Sequence, residues 1–342
     1  MFDGSSLLVT GGTGSFGQVF VRTLLARHKP RRVVIFSRDE QKQYEMEQLF
    51  GGSPLQYVLG DVRDRERLRS ACEGMDVIVH AAALKQVPAA EQNPIEAVKT
   101  NILGAENVIF AAADNRVSNV IALSTDKAVN PINLYGATKL VSDKLFIAAN
   151  AGSDGRNPMF SVVRYGNVFT SRGSVVPYFR KLASEGASSL PVTDPRMTRF
   201  WISVQQGVDF VLGCFTRMYG GEIFVPRLPS VRMVDVAKAV APNLAIEITG
   251  IRPGEKLHET LCPKDESHLT LEFKDHYVIC PSIAMPVMRT YRTDASGACG
   301  QPVGEGFEFD SETNEWFLTP EEIAASAAAS PNRIIHSMPT FG

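Results

Sequence analysis

The sequence predicts an α/β protein organised around a doubly wound parallel sheet, with a smaller C-terminal lobe. Three observations carry that expectation. Short apolar runs alternate with helical patterns through the first half of the chain, the order that βαβ units impose. The first run, Leu7-Leu8-Val9, opens directly into Thr10-Gly11-Gly12-Thr13-Gly14-Ser15-Phe16-Gly17, in which Gly11, Gly14 and Gly17 keep a G-x-x-G-x-x-G spacing. From about Ser171 the texture changes to short elements among frequent prolines and glycines. The expected division is 1–170 for the sheet domain, 171–330 mainly for the lobe with some segments returning to the sheet, and 331–342 for a loose tail.

Composition narrows the function classes. A chain of 342 residues, 44% of them apolar, can bury a substantial core in one or two domains. A net charge of −2 gives no reason to expect nucleic acid or an anionic membrane surface. Cys72, Cys214, Cys262, Cys280 and Cys299 are scattered and lack C-x-x-C spacing, so neither a disulfide framework nor a metal site is expected. No apolar run approaches the roughly 18 residues that span a bilayer, and the first strand begins too near Met1 to leave room for a signal peptide. The expectation is a soluble, cytoplasmic protein.

In chain order, the glycine loop precedes a helix over Gln18–Arg27 with an apolar stripe of Val19, Phe20, Leu24 and Leu25. Strand, glycine turn and helix form the context of a dinucleotide pyrophosphate site, lined by Gly11, Thr13, Gly14, Ser15, Phe16 and Gly17. A second strand, Arg32 to Phe36, ends at Ser37-Arg38-Asp39. An acid there suits the ribose of NAD and a cation the 2′-phosphate of NADP. Ser37, Arg38 and Lys42 favour NADP, against Asp39 and against Arg38 as an ordinary surface charge. The third strand, Gln56 to Leu59, leads to Asp61 and Val62; Asp61 either meets the adenine amino group or caps a helix starting near Arg65. The fourth, Asp76 to His80, runs into Ala81, Ala82 and Lys85, small residues for a flat cofactor and a cation where substrates lie. His80 reads as a packed histidine.

Glu96 to Asn115 reads as one long helix, followed by a buried strand, Val120 to Leu123, and then Ser124-Thr125-Asp126-Lys127 and Tyr135-Gly136-Ala137-Thr138-Lys139. Tyr135 and Lys139 are spaced i, i+4, so a helix puts both on one face, where the lysine holds the phenol nearer its phenolate. Such a tyrosine is a base for a hydroxyl proton beside a nicotinamide. A strand over Ser161 to Tyr165 ends at Asn167. In the lobe, Arg199, Arg252 and Glu255 put two cations and an acid at the sheet's carboxyl edge, where arginines suit a diphosphate. Thr319-Pro320-Glu321-Glu322 forms a capping box opening an alanine-rich helix through about Ala329.

The glycine loop, Tyr135 with Lys139, and the change of texture together resemble an extended short-chain dehydrogenase/reductase with a Rossmann core acting on a nucleotide sugar. Thr125-Asp126-Lys127, with lysine where most 4,6-dehydratases of that superfamily hold glutamate, is similar to the configuration-inverting UDP-N-acetylglucosamine 4,6-dehydratases. Ser37-Arg38-Asp39-Glu40, Ala81 to Lys85, Val163 to Val168, Met197 to Trp201 and Ile251 to Glu259 resemble that family's segments, so the likeness covers nearly the whole chain. Val141 departs from it, standing where the family often holds cysteine.

The resemblance implies an NADP-dependent lyase that converts UDP-N-acetylglucosamine to UDP-2-acetamido-2,6-dideoxy-β-L-arabino-hex-4-ulose, the first step toward pseudaminic acid, a sugar of flagellin. It implies a homo-oligomer, a dimer or larger. Tyr135, activated by Lys139, would take the C4 hydroxyl proton, with Thr125 bonded to the same oxygen. Lys127 would be the base at C5 and Asp126 the acid for the C6 hydroxyl. Lys85, Asn167, Arg199, Arg252 and Glu255 would hold the substrate. That chemistry asks for a neutral lysine and a protonated aspartate, hence for side chains that diverge as neighbours leaving an extended strand do. Two other readings stand beside it: a nucleotide-sugar 4-epimerase, which has no work for Asp126 and Lys127, and a non-catalytic NADP-binding scaffold or sensor.

Overall fold

The computed structural model of the chain describes residues 1–152, 158–171, 173–285 and 290–329. The expected tail, 331–342, lies outside the described residues. The first half lays down β1 (Ser6–Thr10), α1 (Ser15–Arg27), β2 (Arg32–Ser37), α2 (Glu40–Phe50), β3 (Leu55–Leu59), α3 (Arg65–Ala71) and β4 (Val77–His80). It continues through α4 (Val87–Gln92), α5 (Pro94–Val98), α6 (Gly104–Asp114), β5 (Asn119–Thr125), α7 (Leu134–Ala149) and β6 (Met159–Tyr165). The expected long helix over Glu96–Asn115 is α5 and α6 joined by a π turn at Lys99–Leu103. That turn widens the helix where Asn101 reaches out to grip the Leu84 backbone at both its N–H and its C=O.

The second half contributes β7 (Asn167–Val168), α8 (Val175–Ser184), β8 (Ser189–Val192), β9 (Thr198–Ile202), α9 (Val204–Arg217), β10 (Ile223–Pro226), β11 (Ser230–Arg232) and α10 (Met233–Val240). It ends with β12 (Ala245–Ile248), β13 (Thr260–Cys262), β14 (Thr270–Glu272), β15 (His276–Ile279), β16 (Gln301–Pro302), β17 (Phe309–Asp310) and α11 (Pro320–Ala329). Among the described residues, ten strands join in the order β16-β14-β15-β10-β6-β5-β4-β1-β2-β3. The run from β10 to β3 is parallel, while β15, β14 and β16 return antiparallel from the C-terminal half.

Parallel strands buried on both faces need continuous apolar runs, and β1, β4 and most of β2, β5 and β6 are buried throughout. Small sheets form beyond the carboxyl edge, β11-β9-β7 and β12-β8, around a second apolar cluster that includes Phe169, Phe179, Trp201 and Ile323. Helix α11 starts at Pro320 with the reciprocal bonds expected of its capping box: the Thr319 N–H donates to Glu322 and the Glu322 N–H to Thr319 Oγ1.

The order in which successive strands are added reverses between the parallel neighbours β1 and β4, so their carboxyl-end loops open a crevice. The two loops touch: Gly11 has φ +64°, and a Cβ there would stand 2.9 Å from Ala82 Cα. Gly17 is tighter still, because a Cβ would lie 2.2 Å from the Gly12 carbonyl oxygen. Gly17→Ala is therefore expected to lower the unfolding free energy by about 1–3 kcal/mol in urea titrations, through overpacking that α1 relieves only by moving. A variant as stable as the parent contradicts this packing.

Candidate active site

The crevice widens into a cleft of about 1130 Å³ at the carboxyl ends of the strands. Gly11, Thr13, Gly14, Ser15, Phe16 and Gly17, with Ser37, Arg38, Lys42, Asp61, Val62, Ala81 and Ala82, line one arm. Lys85, Thr125, Lys127, Tyr135, Lys139, Asn167, Arg199, Arg252 and Glu255 line the other. Asp126 is the exception, fully buried behind Thr125 and Lys127.

The first arm fits a dinucleotide. Helix α1 begins at Gly14 with no side-chain cap and no acid in its first turn, leaving its positive end to an anion. Thr13 and Ser37 share a hydroxyl hydrogen bond of 2.8 Å that ties the glycine loop to the end of β2. Asp39 is committed elsewhere: it caps α2 by accepting from the Lys42 N–H at 3.0 Å and pairs with the Lys42 ammonium. Asp61 does not cap α3; Asp64 does, accepting from the Arg67 N–H. Asp61 instead binds Arg63 at 2.7 Å and faces Arg38 at 3.6 Å. Burial raises its pKa, but the Arg63 hydrogen bonds and the two arginine charges outweigh that and hold it below the usual carboxylate range.

In the second arm, β5 stops at Thr125 and the chain turns at once into a 3₁₀ turn, Asp126–Ala128. The expected divergence of Asp126 and Lys127 does not occur. Extended alternation ends one residue too early, and Lys127 Nζ folds back to 3.1 Å from Asp126 Oδ1. It also lies 3.1 Å from Glu259 Oε1 and donates to Asn167 Oδ1 at 3.0 Å. Burial pulls the Lys127 pKa down, yet the Asp126 and Glu259 carboxylates more than offset it, so the ammonium is held above its ordinary value. The resting site thus opposes the neutral lysine that a base at C5 requires.

Asn133 caps α7 by accepting from the Gly136 N–H, and its amide donates to the Gly254 carbonyl. Gly136 is required by closeness: a Cβ would sit 2.0 Å from the Lys127 carbonyl oxygen. Tyr135, Lys139 and Asp143 follow at four-residue spacing, all buried. Burial pushes the Tyr135 phenol up to about 12, and the Lys127 charge and a hydrogen bond with Thr125 pull against that. Lys139 was expected to supply that pull. Its own pKa is instead lowered by burial and propped by Asp143, which accepts from Ser124 Oγ at 2.7 Å.

Arg199 differs from its expected role as a diphosphate ligand. Its guanidinium donates to the carbonyls of Thr198, Leu257 and Lys256 and so anchors the 256–259 segment. Arg252 is exposed and bonded to Glu255, and Lys85 donates to Ser171 Oγ at 3.3 Å. Sequence reasoning gave Glu259 no role, although it is 1% exposed and lines the cleft. Its only signal was a place in the Arg252–Glu259 segment.

The model of the polysaccharide biosynthesis protein family matches residues 7–281. The chain belongs to this family. A UDP-N-acetylglucosamine 4,6-dehydratase (inverting) of Campylobacter jejuni is 53% identical over 94% of this chain and 97% of that protein. A UDP-glucose 4-epimerase of Rickettsia massiliae is 42% identical over 82% of this chain and 84% of that one. The X-ray structure of Pen from Bacillus thuringiensis superimposes with a TM-score of 0.86 at 32% identity, covering 96% of this chain and 98% of that one. Among the described residues, no helix is long and apolar enough to cross a membrane, and no cluster of three or more His, Cys, Asp or Glu could hold a metal.

His80 is a packed residue, as expected: Nδ1 shares a 2.8 Å hydrogen bond with Thr10 Oγ1, and burial lowers its pKa to about 3. A base whose folded pKa is depressed takes up its proton first in the unfolded state, so stability falls as pH drops from about 6.5 toward 3. His80 is expected to contribute a loss on the order of 2 kcal/mol between pH 7 and 5. Urea unfolding at both pH values, with His80→Asn as the control that removes this slope, checks it.

Proposed function

We propose that the chain catalyses 4,6-dehydration of UDP-N-acetylglucosamine with inversion at C5. The carrying observation is the Thr125-Asp126-Lys127 turn beside Tyr135: Thr125, Lys127 and Tyr135 line one cleft with Asp126 buried behind them, in a chain 53% identical to an inverting dehydratase. A 4-epimerase needs the tyrosine but not the Asp126–Lys127 pair. Identity to the epimerase-named relative is also lower. The non-catalytic scaffold leaves the buried Tyr135, Lys139 and Lys127 without work.

The cofactor reading is NADP, because Asp39 is bound to Lys42 and caps α2, while Ser37 and the half-exposed Arg38 stand at the end of β2. When bound, NADP would supply the hydride acceptor for C4 and the hydride donor for C6. The glycine loop with the α1 N-terminus would hold its pyrophosphate, and Ala81 and Ala82 would let it lie flat on the strand ends.

The chain's own residues handle the protons. Tyr135 takes the C4 hydroxyl proton. Its hydrogen bond with Thr125, whose hydroxyl donates to Asp126 Oδ1 at 2.9 Å, gives that proton a path to the carboxylate. Asp126 therefore need not rest protonated; it is protonated, and so neutralised, by the first step and then delivers the proton to the departing C6 hydroxyl. Lys127 removes the C5 proton, which the 4-keto group has made acidic. Arg252, Lys85 and Asn167 line the cleft where the nucleotide sugar would lie. The product class, a 4-keto-6-deoxy amino sugar nucleotide, suits the pseudaminic acid route. Ile95, Leu103 and Phe110 leave apolar surface exposed on the α5–α6 run, which supports a homo-oligomer.

Proton NMR of the protein with UDP-N-acetylglucosamine in heavy water tests the assignment. The expected result is a new C6 methyl signal with deuterium at C5 and inverted configuration. A C5-retained methyl product rejects the inverting assignment, and a 4-epimer with its C6 hydroxyl intact rejects dehydration.

A further inference from the structure

Lys127 must lose a proton before it can act at C5, and its surroundings hold that proton in place. Two buried carboxylates contact its ammonium at equal distance, Asp126 Oδ1 and Glu259 Oε1, each at 3.1 Å. They are not equivalent. Asp126 Oδ1 accepts a second hydrogen bond, from Thr125 Oγ1 at 2.9 Å, which favours its ionised form. Glu259 Oε1 has Lys127 as its hydrogen-bonding cation, with Arg199 Nε only at ion-pair range, 3.8 Å. Its other oxygen, Oε2, is buried with no hydrogen-bond partner, and Lys256 stands off at 3.9 Å. Asp126 Oδ2 is orphaned in the same way, so the difference lies at the oxygens facing Lys127, and Glu259 Oε1, with one hydrogen-bond donor against two, is the easier to protonate.

We propose that Glu259 is the positioning residue of the acid–base set: it aims Lys127 Nζ into the cleft and takes the ammonium's proton when the substrate is oxidised. The inference rests on the dehydratase reading and supplies the step which that reading lacks. As Tyr135 and Thr125 pass the C4 proton to Asp126, one of the two negative charges holding the ammonium disappears. One N–H bond of Lys127 then breaks, and one O–H bond forms at Glu259 Oε1, leaving a free amine facing the substrate. The N–H bonding pair stays on nitrogen and an oxygen lone pair makes the new O–H bond, so nothing is oxidised or reduced. The amine takes the C5 proton as Asp126 gives its own to the leaving water, and Glu259 releases its proton when C5 is reprotonated, so the site returns to its starting charge.

The charged groups around Glu259 set the balance. Burial, with Asp126 beside it, pushes the Glu259 pKa upward, while the Lys127, Arg199 and Lys256 charges pull against that. Its backbone is pinned, since its N–H donates to Ser311 Oγ at 2.9 Å and its carbonyl accepts from the Ser311 N–H at 2.9 Å. The carboxylate is thus a fixed acceptor rather than a mobile one.

Glu259→Gln keeps an acceptor oxygen for Lys127 but cannot take a proton. The expected result is a kcat lowered about a hundredfold, a kcat that gains a new rise with pH because bulk base must now strip Lys127, and loss of C5 deuterium exchange. The rate-limiting step moves with it: the isotope effect of C4-deuterated substrate shrinks and that of C5-deuterated substrate grows. Glu259→Asp, a second variant that can still be protonated, should keep the parental pH profile at a reduced rate. Parental exchange and pH profile in Glu259→Gln overturn the proposal, as does an equal loss in both variants with no change of profile, the mark of a merely structural role. The parent protein separates the two readings. Absence of C5 exchange in the parent rejects the dehydratase assignment itself, whereas exchange in the parent that survives in Glu259→Gln rejects only the role of Glu259.

Discussion

The structure depends on one ammonium group held between two buried carboxylates. Lys127 Nζ touches Asp126 from its own turn and Glu259 from a distant part of the chain. Removing either carboxylate leaves the lysine under-compensated, and removing the lysine leaves two buried negative charges facing each other. Breaking one side of such a set costs more than the net worth of the intact set. The arrangement therefore fixes the catalytic turn and stores the charge that the reaction must redistribute.

Much of the surrounding architecture serves that contact. Strand β5 ends early enough for the 3₁₀ turn to curl Lys127 back over Asp126. Gly136 lets the first turn of α7 press against the Lys127 carbonyl, which places Tyr135 within reach of Thr125. From the other side, Arg199 grips the carbonyls of Lys256 and Leu257, and Asn133 holds the Gly254 carbonyl, so the Arg252–Glu259 segment is moored to both the small sheet and α7. A buried arginine with backbone carbonyl partners is a tether, and here it delivers Glu259 to the lysine.

The sheet and the glycine loop were legible in the sequence because their causes are local. Apolar runs such as Val120 to Leu123, G-x-x-G-x-x-G spacing and the Thr319–Glu322 capping box act over a few residues, and the strands and helices follow them. The π turn at Lys99–Leu103 was not legible, since Asn101 leaves the helix for a backbone partner that the sequence does not bring near it. The catalytic residues could be named, but their charge relations could not. Reading Asp126 and Lys127 as extended neighbours made them diverge, whereas a single-residue difference in where β5 ends brings them into contact. Assigning Lys139 as the cation acting on Tyr135 followed from helical spacing together with Thr125-Asp126-Lys127 and the glycine loop. What the spacing did not show is that Lys127 from the adjoining turn also pulls on the phenol and that Asp143 sits beside Lys139. The segment holding Glu259 was recognisable but its role was not, because that role comes from a contact across the cleft.

The most direct test is a carbon NMR titration of the Lys127 ε-methylene in the parent protein and in the Asp126→Asn/Glu259→Gln double variant. Lys127 of the parent should stay an ammonium beyond the ordinary lysine value of about 10.4, and the double variant should titrate well below the parent, because burial then acts without its opposing charges. A parent Lys127 that titrates at or below the ordinary value, with both carboxylates in place, would contradict the account of this site.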